Sequence, residues 1–152
     1  MTSLLNHRSE PHRRELDDNS LTSTFALASH LLELRLDQAL SGQGITARQY
    51  RALRHIADEP GVTRVDLASF LRITPQAAGG LSQRLHDAGL IERSLPVGGL
   101  PISFTITDQG RTQLARAAPV VMATERETLA KLPSGTVESL VGAMRELLLE
   151  IA

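Results

Sequence analysis

The chain has no cysteine among its 152 residues. This removes disulfides, thiolate catalysis, cysteine–zinc sites and cysteine-based redox sensing together. No apolar run approaches the ~18 residues of a membrane span, and the polar N-terminus lacks a signal-peptide apolar core. A cytoplasmic protein with no membrane partner is expected. Catalytic constellations are missing too. The five histidines (His7, His12, His30, His55, His86) are scattered without paired metal spacing. No serine sits in a nucleophile elbow, and Gly98-Gly99 is not followed by Lys-Ser/Thr, so no phosphate loop is present. No enzyme activity, metal or cofactor is expected. Nor is there an excess of one charge: 16 Lys and Arg stand against 17 Asp and Glu, a net −1.

What is present is an ordinary globular composition, 41% hydrophobic and 22% charged, in a chain long enough for one domain with a real core. The charge is unevenly placed. From Thr46 to Arg93 seven arginines stand against five acids, a local +2, with −2 before this stretch and −1 after it. The middle is the basic part, by a small margin.

The centre of the chain is Thr63 to Ile91, which reads as two helices meeting at a short turn. Thr63 is a good N-cap, and Asp66 three residues later reaches back to it or sits in the first turn. Leu67, Phe70 and Leu71 form an apolar face. Thr74 caps the second helix and Pro75 takes its first position, where the missing N–H costs nothing. Ala78, Leu81, Leu85 and Ala88 fall on one stripe, and Gly89 ends the helix. Such a pair is a helix-turn-helix, whose second helix fits a DNA major groove.

The flanks complete a mainly α chain with a small two-stranded β wing. Residues 1–20 are polar and aperiodic and read as a flexible arm, in which Arg13 and Arg14 would reach DNA or a partner subunit if the arm has a role. Residues 21–45 carry the first helix, Leu21 to Leu40, with Leu21, Phe25, Ala28, Leu32 and Ala39 on one face and Leu31, Leu36 and Leu40 widening it. Gly42 and Gly44 close it. Thr46 and Gln49 form a capping box for a helix with Tyr50, Leu53, Ile56 and Ala57 inward, stopped by Pro60-Gly61.

After Gly89 the period becomes two. Ile102, Phe104 and Ile106 alternate with polar residues, Leu90 to Leu95 is the partner strand, and Pro96 to Pro101 is the hairpin tip. The winged helix-turn-helix thus spans 46–107. Thr107 caps a long helix to about Leu132, with Leu114, Ala117, Ala118, Val121 and Leu129 inward and a bend expected at Pro119. After Pro133, Ser134 caps a last helix striped with Val137, Leu140, Val141, Met144, Leu147, Leu148 and Ile151. The partner of that stripe is expected to be the first helix, the long helix or another subunit, with the last two together favoured. Residues 108–152, with the first helix, are expected to form a homodimer.

Three stretches in this order resemble the MarR (multiple-antibiotic-resistance regulator) family of bacterial winged-helix regulators. They are Ile45 to Leu53 (ITARQYRAL), Leu81 to Arg93 (LSQRLHDAGLIER) and Phe104 to Arg111 (FTITDQGR). The resemblance implies a dimeric winged helix-turn-helix regulator on a pseudo-palindromic double-stranded DNA operator. It also implies a repressor released by a small aromatic or phenolic effector. One departure stands out. The family's wing carries an acid and an arginine near its tip, and here Pro96 to Pro101 holds no charge. The alternative is a winged-helix protein-interaction module without specific DNA binding, favoured by that uncharged tip and the small basic excess.

With Ala78, Leu81 and Leu85 inward, helical rotation turns Gln76, Gly80, Gln83 and Asp87 outward, with Ala77 and Arg84 on the flanks. Gln76 near the N-terminus is the best base reader, because its amide can pair with adenine. Thr74 bonds a phosphate or acts only as a cap. Gly79-Gly80 serves a close approach to DNA or close helix packing. Arg84 and Arg93 are phosphate candidates, followed by Arg72 in the turn and by Arg48 and Arg64. If an effector binds, the resemblance puts it between the dimer helices and the winged region. His30, Tyr50 and Arg54 are its candidate polar contacts, against packing or solvated positions for His30 and a core position for Tyr50.

Overall fold

The computed structural model describes residues 20–94, 98 and 101–151. In chain order these form α1 (Leu21–Leu40), a 3₁₀ turn (Ser41–Gln43), α2 (Ala47–Asp58), β1 (Val62–Thr63), α3 (Arg64–Leu71) and α4 (Pro75–Asp87). They continue with β2 (Ile91–Arg93), β3 (Ser103–Ile106), α5 (Asp108–Leu129) and α6 (Thr136–Ile151). The expected arm, residues 1–20, lies outside the described residues except for Ser20, which caps α1.

The helix starts follow from local chemistry. Thr46 and Gln49 make a reciprocal capping box on α2, with Gln49 N–H donating to Thr46 Oγ1 (3.1 Å) and Thr46 N–H to Gln49 Oε1 (2.9 Å). Thr63 and Asp66 do the same on α3, and the Thr63 hydroxyl also donates to Asp66 Oδ2 at 2.7 Å. Those hydrogen bonds, the hydroxyl's first and the backbone's second, hold the Asp66 carboxyl below its ordinary range.

The sheet has three antiparallel strands in the order β1-β3-β2, not the two expected. Val62 pairs with Phe104 and Ile91 with Ile106. A strand of two residues has no alternation for a sequence to display, which is why β1 was not foreseen. Phe104 is buried and Ile106 packs on the core, as their alternation predicts, but Ile102 precedes the strand and is exposed. Residue 95 and most of the expected tip, 96–97 and 99–100, lie outside the described residues.

The core joins Leu40, Ile45, Leu53, Ile56, Val62, Leu67, Leu71, Leu81, Leu85, Ile91, Phe104, Ala117 and Val121. Several inward positions differ from expectation. Phe70 is 45% exposed, and Ala68 lies on the buried side of α3 in its place. The Phe70 ring stacks on the half-buried His55 of α2, centroids 3.8 Å apart and nearly parallel, which covers one face of the ring. Ala88 is exposed because the helix ends one residue earlier and Ala88 is its C-cap. On α1 only Leu40 is buried, and Leu21, Ala28, Leu32 and Ala39 stay exposed.

The ends of the last two helices also move. α5 stops at Leu129, short of Leu132, because the residue before Pro133 is disfavoured in helical geometry. It runs across Pro119 without a break, and the Ala115 carbonyl that Pro119 cannot serve lies on an exposed residue. α6 begins at Thr136, with Ser134 left in a turn closed by Thr136 N–H to Pro133 O (3.1 Å) and by Gly135 at φ +79°. α6 buries no residue.

Candidate nucleic-acid interface

α4 owes its position to both ends. Thr74 Oγ1 accepts from Ala77 N–H at 3.2 Å, and Pro75 occupies the first turn. At the other end Gly89, at φ +71°, closes a Schellman motif: its N–H donates to His86 O (2.8 Å) and Leu90 N–H to Leu85 O (2.9 Å). The junction with α5 is equally tight. Thr107 caps α5 by accepting from Gly110 N–H (2.9 Å) and donates its hydroxyl to Gly89 O (2.7 Å). A Cβ on Gly110 would stand 2.1 Å from Leu90 O, so only glycine lets the start of α5 approach this closely.

α4 turns Ala78, Leu81, Ser82 and Leu85 into the core. Ser82 satisfies its hydroxyl by donating to Gly79 O at 3.0 Å. Gln76, Ala77, Gly80, Gln83, Arg84 and Asp87 are exposed, as the helical rotation predicts. Arg72 is exposed beside them in the turn, at φ 55°, a left-handed conformation that costs a non-glycine residue roughly 1 kcal/mol. Its N–H donates to Ser69 O and that of Ile73 to Ala68 O, which end α3 sharply and set the angle between the two helices.

The two glycines differ. An added Cβ on Gly79 would meet the Arg64 side chain at 3.4 Å, an ordinary van der Waals contact, so Arg64 lies over the helix there without packing closely enough to require a glycine. Gly80 is exposed, with only the Arg84 guanidinium near, 3.6 Å from an added Cβ.

Arg93 does not stand free. It reaches from β2 to α4, where an Nη donates to Gln83 Oε1 at 2.6 Å, and Gln83 Nε2 donates to Asp87 Oδ1 at 2.6 Å. Arg93 Nε is buried without a partner. Beside this chain runs a groove of about 480 Å³ lined by Arg64, Gly79, Gln83, Arg93, Ile102 and Phe104.

On the opposite flank of α4 a cavity of about 490 Å³ is bounded by α1, the start of α2 and α4. His30, Arg48 and Arg84 bring nitrogen donors to it, and Glu33 and Asp37 bring carboxylates. Arg48 pairs with Glu33 at 3.2 Å, and Asp37 accepts from Ala47 N–H at 2.6 Å in the first turn of α2. Of the three candidate effector contacts, His30 lines this cavity. Tyr50 is half-buried against the core, and Arg54 pairs with Asp58 at 3.0 Å. Hydrogen bonds to Asp58 first, then to Tyr50, raise the Arg54 pKa. Sequence reasoning missed Glu33, Asp37 and Gln49 as cavity residues, because the contacts that gather them join different helices.

Among the described residues no group of three or more His, Asp or Glu side chains could hold a metal ion, and no helix is long and apolar enough to cross a membrane.

Comparison with known proteins decides the family. The transcriptional repressor Rv2887 of Mycobacterium tuberculosis (strain ATCC 25618 / H37Rv) is 32% identical over 117 residues, covering 76% of this chain and 84% of the relative. The chain belongs to the MarR family. A family model described as MarR family matches residues 43–99 of it. Two solved structures of Mycobacterium tuberculosis Rv2887 superpose on this MarR-family chain. One is a complex with salicylic acid (TM-score 0.71, 29% identity, 87% of this chain and 98% of that chain). The other is a complex with DNA (TM-score 0.69, 29% identity, 86% and 98%). The mainly helical winged fold read from the sequence is therefore the fold of the family.

Proposed function

We propose that this MarR-family chain is a homodimeric, sequence-specific DNA-binding transcriptional repressor, released from a pseudo-palindromic operator by a small aromatic or phenolic effector. The observation that carries the reading is α4. It is capped at both ends, anchored by Ala78, Leu81 and Leu85, and presents an exposed face of Gln76, Ala77, Gly80, Gln83 and Arg84. A helix held this firmly, with glutamine and arginine side chains outward and only alanine and glycine between them, suits a major groove. Rv2887 has been solved with DNA and with salicylic acid, which supports both halves of the reading.

In this reading residues 46–107 bind DNA, and 21–45 with 108–152 hold the dimer. The exposed Leu140, Val141, Met144, Leu147 and Leu148 of α6 supply the dimer's apolar surface. Thr74 and Arg72 lie at the groove-facing end of α4, Gln76 reads bases, and Arg84 meets phosphate. The cavity between α1, α2 and α4 takes the effector. His30, Arg48 and Arg84 suit a carboxylate or phenolate, and Arg84 belongs to both cavity and DNA face, so an anion there competes with DNA for it. The protein works in the cytoplasm, and the reading assigns it no catalytic role and no cofactor.

A mobility-shift experiment with the DNA upstream of the protein's own gene tests this. A shift that survives unrelated competitor DNA and is reversed by salicylate is expected. No specific shift at low salt would favour a protein-interaction module.

A further inference from the structure

The clearest feature that the DNA-binding reading leaves unused is the chain of hydrogen bonds Arg93–Gln83–Asp87. We infer that Gln83 is a specificity-determining residue for an A·T base pair, clamped for that task by Arg93 and Asp87 as positioning residues. This rests on the reading of α4 as the DNA-recognition helix.

The chemistry of the three side chains fixes the glutamine. A guanidinium has only donors, and an ionised carboxylate has only acceptors. Gln83 therefore turns Oε1 to Arg93 and Nε2 to Asp87, at 2.6 Å each. The reverse orientation would set the amide N–H₂ against a donor and its oxygen against a carboxylate. Each bond uses half of what the amide offers. One lone pair on Oε1 and one hydrogen on Nε2 remain, on an exposed side chain.

That remainder complements adenine, whose major-groove edge presents an N6 donor beside an N7 acceptor. It does not complement guanine, which presents two acceptors, N7 and O6. A glutamine free to turn could aim both Nε2 hydrogens at guanine. Here Asp87 holds one of them, so the clamp converts a permissive side chain into a selective one and removes the entropy cost of ordering it on binding.

The clamp is held from both ends. Arg93 lies on β2 opposite Phe104, so strand pairing fixes the backbone from which its side chain reaches Gln83. Asp87 sits one turn beyond Gln83 on α4, and its Oδ1 lies 3.6 Å from His86 Nδ1. Arg93 is thus a strut between wing and recognition helix and no longer a free cation for phosphate.

The test is selection from a pool of random-sequence duplexes by full-length wild type, Gln83→Ala, Arg93→Ala and Arg93→Lys, followed by affinities on single-base variants of the selected site. Wild type should enrich an A·T pair in each half-site whose preference over G·C falls about tenfold in Gln83→Ala. Arg93→Ala should relax the same pair and no other. Arg93→Lys, which still donates to Oε1, should retain the preference. An unchanged motif with Gln83→Ala would overturn the inference and leave the DNA-binding reading standing. Uniform weakening on all duplexes by Arg93→Ala, with a salt slope lower by about one, would make Arg93 a phosphate contact and overturn the clamp. No enriched motif with wild type would overturn both readings.

Discussion

The winged region and the terminal helices of this chain use hydrophobic residues in opposite ways. Between Ile45 and Phe104 the large apolar side chains are mostly inside, and Leu53, Ile56, Leu67 and Leu85 have no exposed surface. On α6 the stripe of Leu140, Val141, Met144, Leu147 and Leu148 is as regular, yet nothing among the described residues covers it. The first region satisfies its pattern alone. The second carries the pattern of a buried helix on a surface, the kind of patch that association with another surface covers. Under the proposed function the two regions divide two tasks: one holds a reading helix rigid, and the other sets the spacing of two such helices on DNA.

The contrast is broken most forcefully in the core. Leu85→Ala leaves a cavity beneath α4, and a loss of about 3–4 kcal/mol in urea denaturation is expected. A loss below about 1 kcal/mol would mean that α4 is not anchored as described. Met144→Glu should act quite differently. It places a charge on the stripe of α6 and should raise the dimer dissociation constant roughly thirtyfold, about 2 kcal/mol, in sedimentation equilibrium. The far-ultraviolet circular dichroism of the winged region should persist. An unchanged dimer would place the subunit interface elsewhere.

The smallest effect concerns the start of α3. Because Asp66 is held below the ordinary carboxylate range by Thr63, its contribution is present above the unfolded aspartate pKa. It is lost as pH falls through the lower folded value. Asp66→Asn should flatten the acid limb of the stability profile slightly and leave neutral-pH binding to DNA unchanged. An unaltered acid limb would show that the capping box does not couple to folding.

The same contrast explains how much was legible in the sequence. Thr46, Thr63, Thr74 and Thr107 announced four helix starts, and Gly89 a helix end, because caps act within four or five residues of themselves. The outward face of α4 followed from three inward residues and a constant rotation. What was not legible depends on residues distant in the chain. Phe70 reads as core until His55 is found stacked on it from α2. β1 exists because Val62 meets Phe104, and its two residues carry no period. Arg93 reaches Gln83 from β2 and Glu33 reaches Arg48 from α1, so the sequence named Gln83 and Arg48 as candidates without showing that partners on other elements already held them. The terminal helices were legible as helices, but no local signal in their sequence says what covers their apolar faces.

The central claim is that the exposed face of α4 reads base sequence. The most direct measurement compares wild type and Gln76→Ala by fluorescence anisotropy, on the operator and on an unrelated duplex of equal length. The account predicts that the ratio of the two affinities falls roughly tenfold while binding to the unrelated duplex is unchanged. An equal loss on both duplexes, or an unchanged ratio, would contradict it.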